Sequence, residues 1–238
     1  YIFTYLLSRD KRPGMYLEFP CALCGAGSAS LVCRGCEGDL PRLTLVCARC
    51  GLPSPTSQCV ACQISPPGWD RLVAPYSFSY PVDKIIHDFK YLGSVFWGGY
   101  LARQLARRGL AVHVPLPEAF IPVPAHPRRL AERGFNQAVE LARGLGYELD
   151  IPVLTGAVAR VGLHPPQVGL GAKQRRKNVR GAFAVVGRGP SVRRVAIVDD
   201  IMTTGATARE LARVLLRSGA EQVQVWVVAR TPAGFRPR

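Results

Sequence analysis

Two adjacent carboxylates, Asp199 and Asp200, directly follow an apolar run and precede a short loop of threonine and glycine. The apolar run, Val195–Val198, is short enough to be a buried parallel strand, and apolar residues recur at helical spacing from Ala208 onward. Ligands of open α/β sheets bind at the carboxyl ends of the strands. A pair of carboxylates placed there can accept hydrogen bonds from a ribose diol or hold a hydrated Mg²⁺.

The loop that joins this strand to the following helix has the composition of a phosphate site. Its residues are Thr203, Thr204, Gly205, Ala206 and Thr207. A helix N-terminus presents unpaired backbone N–H groups to an anion, glycine allows close approach, and hydroxyls add hydrogen bonds. No Gly-Lys-Ser/Thr follows and Gly205 stands alone, which excludes a Walker loop and a dinucleotide-binding fingerprint. The alternative is a turn in which these side chains only cap the helix.

Eight cysteines form four Cys-x-x-Cys pairs, and the second two pairs repeat the first two after 26 residues. Two such pairs place four thiolates on one metal ion, so the sequence predicts two structural zinc sites. Because the segment is short for a hydrophobic core, metal binding would supply much of its folding free energy. Disulfides, an iron–sulfur cluster and zinc pairing across the two repeats are the alternatives. The predicted ligands are Cys21, Cys24, Cys33, Cys36, Cys47, Cys50, Cys59 and Cys62.

The apolar runs predict a parallel sheet with flanking helices, an α/β fold. Strands are predicted at Phe120–Val123, Ile151–Leu154, Val195–Val198 and Val223–Val228, with a short strand near Ala182–Val186.

Before these strands, Arg71–Tyr80 indicates a strand or a hairpin arm. Val82–Arg107 has a helical pattern that we expect to break near Gly98–Gly99. Lys90 and Tyr91, within this pattern, are either a surface pair or a ligand contact, and we favour surface and packing roles.

Two basic segments lie beyond the cysteines. Residues 160–194 carry nine basic residues and no acidic one, and a flexible basic loop of this kind can close over a diphosphate and exclude water. Arg175 and Arg176 are its candidate catalytic residues, because cationic side chains neutralise a leaving diphosphate. Arg128 and Arg129 follow the strand at 120–123, and arginine matches phosphate oxygens. For Arg128 and Arg129 the alternative is a Pro-stiffened turn with solvated arginines. For the basic loop that holds Arg175 and Arg176 it is a disordered segment that contacts nucleic acid or nothing.

The charge of the chain is strongly basic and unevenly distributed. The 238 residues carry a net charge of +15, of which residues 71–238 contribute +14, a field that attracts polyanions.

No apolar run reaches the length that crosses a bilayer, and the short apolar start has neither a basic region before it nor a small-residue cleavage site after it. We therefore expect a cytoplasmic protein with no membrane insertion. We expect residues 1–20 to be a tail, with residues 1–14 either disordered or upstream read-through.

Three blocks in order, IPVPAHPRRLAERGFNQA, HPPQVGLGAKQRRKNVRGAF and VAIVDDIMTTGAT, resemble the ComF family, which is linked to DNA uptake in naturally competent bacteria. The last block resembles the 5-phosphoribosyl-1-pyrophosphate (PRPP) motif of type I phosphoribosyltransferases. The cysteine pairs and APYSFSYPVDKIIHDFKYLGS match the family as well, so the resemblance covers about residues 20–230. His164 and Gly171-Ala172 depart from the family pattern, which bears on closure of the mobile loop.

The resemblance implies a type I phosphoribosyltransferase-like domain at residues 68–238, preceded by a double zinc ribbon at residues 21–67. It implies that Asp199 and Asp200 bind the ribose of PRPP together with Mg²⁺, that residues 203–207 bind its 5-phosphate, and that Arg128 and Arg129 lie near the pyrophosphate. The expected role is in DNA uptake or processing, with single-stranded DNA or DNA-uptake proteins as partners. No residue set identifies an acceptor, so enzymatic turnover stays open. The alternatives are a non-catalytic nucleic-acid-binding adaptor that keeps the PRPP fold as a sensor or relic, and a housekeeping transferase with no link to DNA.

Overall fold

The computed structural model describes residues 19–91, 95–112, 114–161, 179–187 and 191–232. The chain forms two compact units, which divide between Asp39 and Leu40. The second cysteine repeat therefore belongs to the same unit as the residues of the predicted sheet. This division differs from the predicted domain limits at residues 20 and 67, which remain predictions. Among the described residues, no helix combines the length and the apolar character that crossing a bilayer requires.

The first unit contains the first cysteine repeat. A short antiparallel pair, β1 (Phe19–Pro20) and β2 (Gly27–Ser28), is followed by the one-turn helix α1 (Arg34–Gly38). The turn between the strands passes through Gly25, whose φ of 77° favours glycine. Cys33 directly precedes α1 and its side chain accepts a hydrogen bond from the N–H of Cys36.

The second unit is built on a parallel sheet. The second cysteine repeat ends in α2 (Val60–Ile64). The strand order is β3-β9-β8-β5, β4 also pairs with β9, and every one of these pairs is parallel. The strands are β3 (Arg71–Val73), β4 (Tyr76–Ser77), β5 (Ala119–Pro122), β8 (Arg194–Met202) and β9 (Gln222–Arg230). Two further strands, β6 (Val158–Arg160) and β7 (Phe183–Val185), pair antiparallel with each other.

The two central strands, β8 and β9, are apolar on both faces. Four consecutive residues of β8, from Val195 to Val198, have no exposed surface, as expected for a parallel strand covered by helices on both sides. Ile197 packs in one core cluster with Leu211 and Leu215 of the helix that follows β8. Because side chains alternate along a strand, Trp226 of β9 lies on the opposite face to Val225.

Four of the predicted strands are present, and Ile151–Leu154 is not a strand. Only a single parallel bridge joins Val153 to Phe120. Pro152 accepts a hydrogen bond from the N–H of Phe120 but has no N–H of its own to extend a ladder. Arg71–Tyr80 is also not a hairpin arm, because β3 and β4 both run parallel to β9.

After α2, the described part of the chain forms five helices: α3 (Val82–Tyr91), α4 (Val95–Ala111), α5 (Pro127–Arg133), α6 (Gln137–Leu149) and α7 (Ala206–Arg217). The expected break near Gly98–Gly99 is wrong, since both glycines lie inside α4. A Cβ on Gly98 would approach Phe89 of α3 to 3.1 Å, so this glycine permits close helix packing rather than a break. A Cβ on Gly109 would lie 2.0 Å from Trp226, which places α4 directly on β9.

Candidate functional site

Both carboxylates of the candidate site lie on β8 itself. The strand continues to Met202, and Asp199 pairs with Val227 of β9. The predicted strand end at Val198 is therefore too early, because β9 provides backbone partners as far as Arg230. The ladder fixes the backbone of both half-buried carboxylates at the carboxyl end of the sheet, where parallel sheets bind ligands.

The two carboxylates interact with each other and with a lysine. Burial, together with the negative charge of Asp200, raises the pKa of Asp199 to about 7. The ammonium Nζ of Lys90, on α3, lies 2.5 Å from Oδ2 of Asp200, and these side chains are only 16% and 13% exposed. The interpretation of Lys90 as a surface residue is wrong. The helical spacing around Lys90 does not indicate a partner such as Asp200, which is distant in the sequence.

A short network of side chains beside Lys90 joins α3 to the segment between α5 and α6. Arg133 donates from Nη2 to the hydroxyl of Tyr91 at 3.1 Å and from Nη1 to Oε1 of Gln137 at 3.0 Å. Asn136 caps α6 by accepting from the N–H of Ala138, and its Nδ2 donates to the carbonyl of Val123 at 3.0 Å. These bonds fix the chain that leaves β5 next to the helix that carries Lys90.

The loop after β8 leaves several backbone donors available to an anion. Gly205 is buried, has a φ of 72° and occupies the N-cap position of α7 with no side-chain cap. The N–H of Ala206 makes one long contact, 3.4 Å to Oγ1 of Thr204. Among the described residues, no acceptor pairs with the N–H of Gly205, Thr207 or Ala208. Adjacent unpaired N–H groups at a helix start favour an oxyanion.

Arg128 and Arg129 lie in the first turn of α5 and have different surroundings. Arg128 forms an exposed ion pair with Glu132, 2.8 Å apart. The charge of Arg129 contributes to lowering the pKa of Asp199, against the larger effect of burial, so Arg129 acts on the carboxylate pair electrostatically. His126 accepts a hydrogen bond from the N–H of Arg128 and caps α5. Arg175 and Arg176 lie outside the described residues.

The eight cysteines form two clusters, one in each repeat. Within each cluster, all four Sγ atoms lie within 4.8 Å of one another, which confirms grouping within repeats and excludes the alternative of pairing across them. Equivalent backbone hydrogen bonds occur in the two repeats, 26 residues apart. The N–H of Gly25 donates to the carbonyl of Cys21, and the N–H of Gly51 donates to the carbonyl of Cys47. The clusters are Cys21, Cys24, Cys33 and Cys36, and Cys47, Cys50, Cys59 and Cys62.

The chemistry of both clusters fits a tetrahedral thiophilic metal ion. Burial would raise the pKa of Cys47, but hydrogen bonds from the backbone N–H groups of Cys59, Cys50 and Arg49 outweigh it and lower that pKa to about 6. The pKa of Cys21 is likewise lowered to about 6, whereas a hydrogen bond with Cys24 raises the pKa of Cys36 to about 12 and burial raises that of Cys62, so each cluster holds one thiol that ionises readily. Thiolates are the form that binds metal. Because all eight cysteines are free thiols in close groups of four, two Cys₄ zinc sites fit better than disulfides.

A parallel α/β sheet that ends in paired carboxylates and a threonine–glycine loop, in a chain that also holds two Cys₄ clusters, defines an α/β protein with Cys-rich modules. The chain is 36% identical over 226 residues to competence protein F of Haemophilus influenzae, an alignment that covers 90% of this chain and 98% of that protein. It is 34% identical over 206 residues to the DNA utilization protein YhgH of Salmonella typhi, covering 84% and 90%. The chain belongs to the ComF family, which includes these two proteins.

No family model matches the chain. Similar solved structures include a purine phosphoribosyltransferase from Pyrococcus horikoshii, with 20% sequence identity, a TM-score of 0.30, and coverage of 70% of this chain and 97% of that one.

Proposed function

We propose that this protein binds PRPP together with Mg²⁺ at the end of β8. One observation carries the proposal. The paired carboxylates at the end of β8 are followed directly by a loop and a helix start whose backbone N–H groups are unpaired. In this proposal Asp199 and Asp200 bind the ribose diol, residues 203–207 bind the 5-phosphate, and Arg129 lies near the pyrophosphate. Arg128 joins it there by exchanging its exposed partner, Glu132, for phosphate oxygens.

The carboxylate pair fits a Mg²⁺ ion that arrives with the ligand. Magnesium prefers oxygen ligands and usually bridges one or two carboxylates, waters and substrate phosphates. When bound, it would supply charge neutralisation for the pyrophosphate. Lys90 already neutralises part of the charge of Asp200. In the proposal the chain thus provides cations on two sides of the site, Lys90 from α3 and Arg129 from α5, with Arg175 and Arg176 as candidates for a third.

The proposed biological role is in DNA uptake or processing, with single-stranded DNA or DNA-uptake proteins as partners. It is supported by the names of the relatives, a competence protein and a DNA utilization protein, each aligned over at least 84% of this chain. Zinc in both Cys₄ clusters is part of the proposal and is supported by their geometry.

Isothermal titration calorimetry with PRPP and Mg²⁺ tests the ligand. Wild type is expected to give saturable binding heat, and Asp199→Asn/Asp200→Asn is expected to lose most of it. Glu140→Gln is the matched control, because Glu140 is a carboxylate paired with Arg143 on the surface of α6. Absence of heat with wild type, or identical heat with the double variant, contradicts the proposal.

A second candidate function is a nucleic-acid-binding adaptor without turnover. A cluster of arginines beside the second cysteine repeat favours it: Arg71 and Arg108 line a concave surface, and the charges of Arg71 and Arg42 add to burial in lowering the pKa of Arg108. Cations held together in this way favour a polyanion.

Salt-dependent binding of single-stranded DNA tests the second candidate and locates its surface. We compare Arg71→Gln/Arg108→Gln with Arg175→Ala/Arg176→Ala, and use Arg143→Gln as the control on α6. The variant that no longer binds DNA phosphates is expected to flatten the dependence of log Kd on log salt, by about 0.7 units of slope for each single-strand phosphate that it fails to neutralise. An unchanged slope in both variants excludes both surfaces.

A further inference from the structure

Arg230, the last residue of β9, connects the second cysteine repeat to the loop that follows β8. Its Nε donates to the carbonyl of Cys50 at 2.8 Å. Its Nη1 donates to the carbonyl of Met202 at 3.2 Å and to that of Thr203. It also donates to the carbonyl of Thr231 at 2.9 Å. One side chain therefore bonds both a predicted metal ligand and the first residue of the candidate phosphate loop.

Trp69 makes a second connection between the same two segments. Its indole Nε1 donates to the carbonyl of Arg49 at 2.6 Å, inside the turn between Cys47 and Cys50. The ring edge faces Gly205, since a Cβ built there would lie 3.0 Å from Cη2 of the tryptophan. Trp69 is 4% exposed and Arg230 is 8% exposed. Both connections are therefore interior contacts with little space for rearrangement.

The turn of the second repeat is also closely packed against the sheet. A Cβ on Gly51 would lie 2.5 Å from Cδ2 of Leu72 and 3.2 Å from Cγ of Arg230. The N–H of Leu72 donates to the carbonyl of Ala48 at 2.8 Å. The turn cannot move relative to β3 and β9 without breaking these interactions, so its geometry is transmitted to Arg230.

The charge of Arg230 complements a metal-loaded cluster. Among the described residues, its hydrogen-bond acceptors are all neutral carbonyl or hydroxyl oxygens. A buried cation that lacks a counter-ion is unfavourable. Four thiolates around Zn²⁺ carry a net negative charge, which would lie next to the guanidinium beside Cys50.

We propose that Arg230 and Trp69 are positioning residues that couple metal binding in the second cluster to ligand binding at residues 203–207. This inference rests on the proposed function, because it requires a phosphate-bearing ligand at the loop. Metal fixes the turn that carries the carbonyls of Arg49 and Cys50, and the two side chains then hold the loop in its binding shape. Without metal the turn is less ordered, so ligand binding must also order the loop. By linkage, the ligand strengthens metal binding by the same factor.

Zinc competition on the full chain tests the coupling. Cys24→Ser/Cys36→Ser leaves only the second cluster intact, and Cys50→Ser/Cys62→Ser leaves only the first. A zinc-selective chelator is titrated with and without PRPP and Mg²⁺. For the second cluster, saturating PRPP is expected to raise the chelator concentration that removes half of the zinc by about five-fold or more, which is a typical coupling between two sites. For the first cluster, in the other compact unit, no change is expected. Equal responses of the two clusters, or none, overturn the proposal.

Two substitutions separate coupling from a structural role. Arg230→Lys keeps the charge but cannot reach all the carbonyls at once, and Trp69→Phe keeps ring packing but removes the bond to Arg49. The quantity compared is the ratio of the chelator concentrations that remove half of the zinc with and without PRPP. In the Cys24→Ser/Cys36→Ser protein, which keeps only the second cluster, each substitution is expected to bring this ratio close to one. Arg143→Lys, on the surface of α6, is expected to leave it unchanged. Weaker zinc retention with an unchanged ratio means a purely structural role and overturns the coupling.

Calorimetry on the same proteins separates failure of this inference from failure of the proposed function. Absence of PRPP binding to zinc-loaded wild type overturns both. Equal PRPP affinity of wild type and Arg230→Lys, with no effect of PRPP on zinc retention, overturns only the coupling.

Discussion

Nζ of Lys90 lies 2.5 Å from Oδ2 of Asp200, so a cation from α3 already contacts one of the two carboxylates at the end of β8. The adjacent Asp199 has its pKa raised to about 7 by burial and by the charge of Asp200. A divalent cation that enters with a ligand must therefore compete with an internal ammonium for Asp200. Without ligand, the ion pair reduces the repulsion between the two carboxylates. A metal ion that binds Asp200 must displace the Lys90 ammonium, so the affinity for metal depends on the free energy of moving this side chain.

Removal of this ammonium is expected to destabilise the protein in a pH-dependent way. At pH 8 and without divalent cations, Lys90→Met leaves two adjacent carboxylates without their ion-pair partner. We expect a loss of about 2 kcal/mol, below the ~3–5 kcal/mol for fully buried pairs. At pH 5 the loss is expected to be smaller, because Asp199 is then protonated. Urea unfolding at both values measures the difference.

Lys84→Met is the matched control for Lys90→Met. Lys84 lies on the same helix and pairs with Asp88 at 2.8 Å, but its side chain is 63% exposed. Exposed pairs contribute about 0–1 kcal/mol. Equal losses in the two variants, or a loss for Lys90→Met that does not depend on pH, contradict this account of the site.

Replacement of Asp199 is expected to stabilise the protein at high pH. The folded-state pKa of Asp199, about 7, lies above the ordinary aspartate value of 3.8. Between these values the folded state binds more protons than the unfolded state, so stability falls as pH rises. Asp199→Asn removes this penalty. At pH 8, without divalent cations, Tm is expected to rise by several degrees, with little change at pH 4. A Tm gain of equal size at both pH values contradicts the raised pKa.

Gly205 is expected to be required both for its backbone conformation and for its contact with Trp69. Its φ is 72° and a Cβ would lie 3.0 Å from the indole, so we expect Gly205→Ala to cost about 2 kcal/mol and to weaken PRPP binding. Gly134 at the end of α5 has a φ of 77° but open space around its Cβ position. Gly134→Ala should cost only the backbone strain, about 1 kcal/mol, and leave binding unchanged. Equal effects of the two on stability and binding would show that the tryptophan contact is unimportant.

Two glycines in α4 are expected to respond in opposite directions to alanine. A Cβ on Gly109 would lie 2.0 Å from Trp226, so Gly109→Ala forces α4 away from β9 and is expected to cost about 3 kcal/mol. Gly99 lies in the same helix with nothing within 4 Å of its Cβ position. Gly99→Ala is expected to stabilise the protein by up to about 1 kcal/mol. Urea denaturation measures both, and a stabilising Gly109→Ala falsifies the described packing.

Local patterns predicted the centre of the sheet and the grouping of the cysteines. The buried run of β8 and the residues of β9 were recognisable because a central parallel strand is apolar on both faces. The Cys-x-x-Cys spacing and the duplication predicted two groups of four thiols, and the fold class is confirmed. In each case the information lies in the residue types and spacing along the chain rather than in contacts between distant segments.

Features that depend on partners distant in the sequence were missed. Lys90 meets Asp200 only because the sheet brings α3 to β8. Gly98 was expected to interrupt a helix, but it provides room for Phe89, which no local propensity encodes. Ile151–Leu154 has strand-like residues, yet Pro152 limits its pairing to one bridge. The turn around Gly51 packs on Leu72 and Arg230, and nothing in its composition indicated this.

The duplicated cysteine repeat determines where the chain can be divided. Residues that follow Asp39 already pair with the sheet unit, since the N–H of Leu43 donates to the carbonyl of Pro75 and Arg42 bridges to Tyr76. A deletion that ends at Asp39 removes one whole copy of the repeat and leaves the other copy with its neighbours. A deletion that ends at residue 67 would instead uncover Leu72 and Arg230. For truncation or domain-exchange experiments, the natural boundary therefore lies between the two copies.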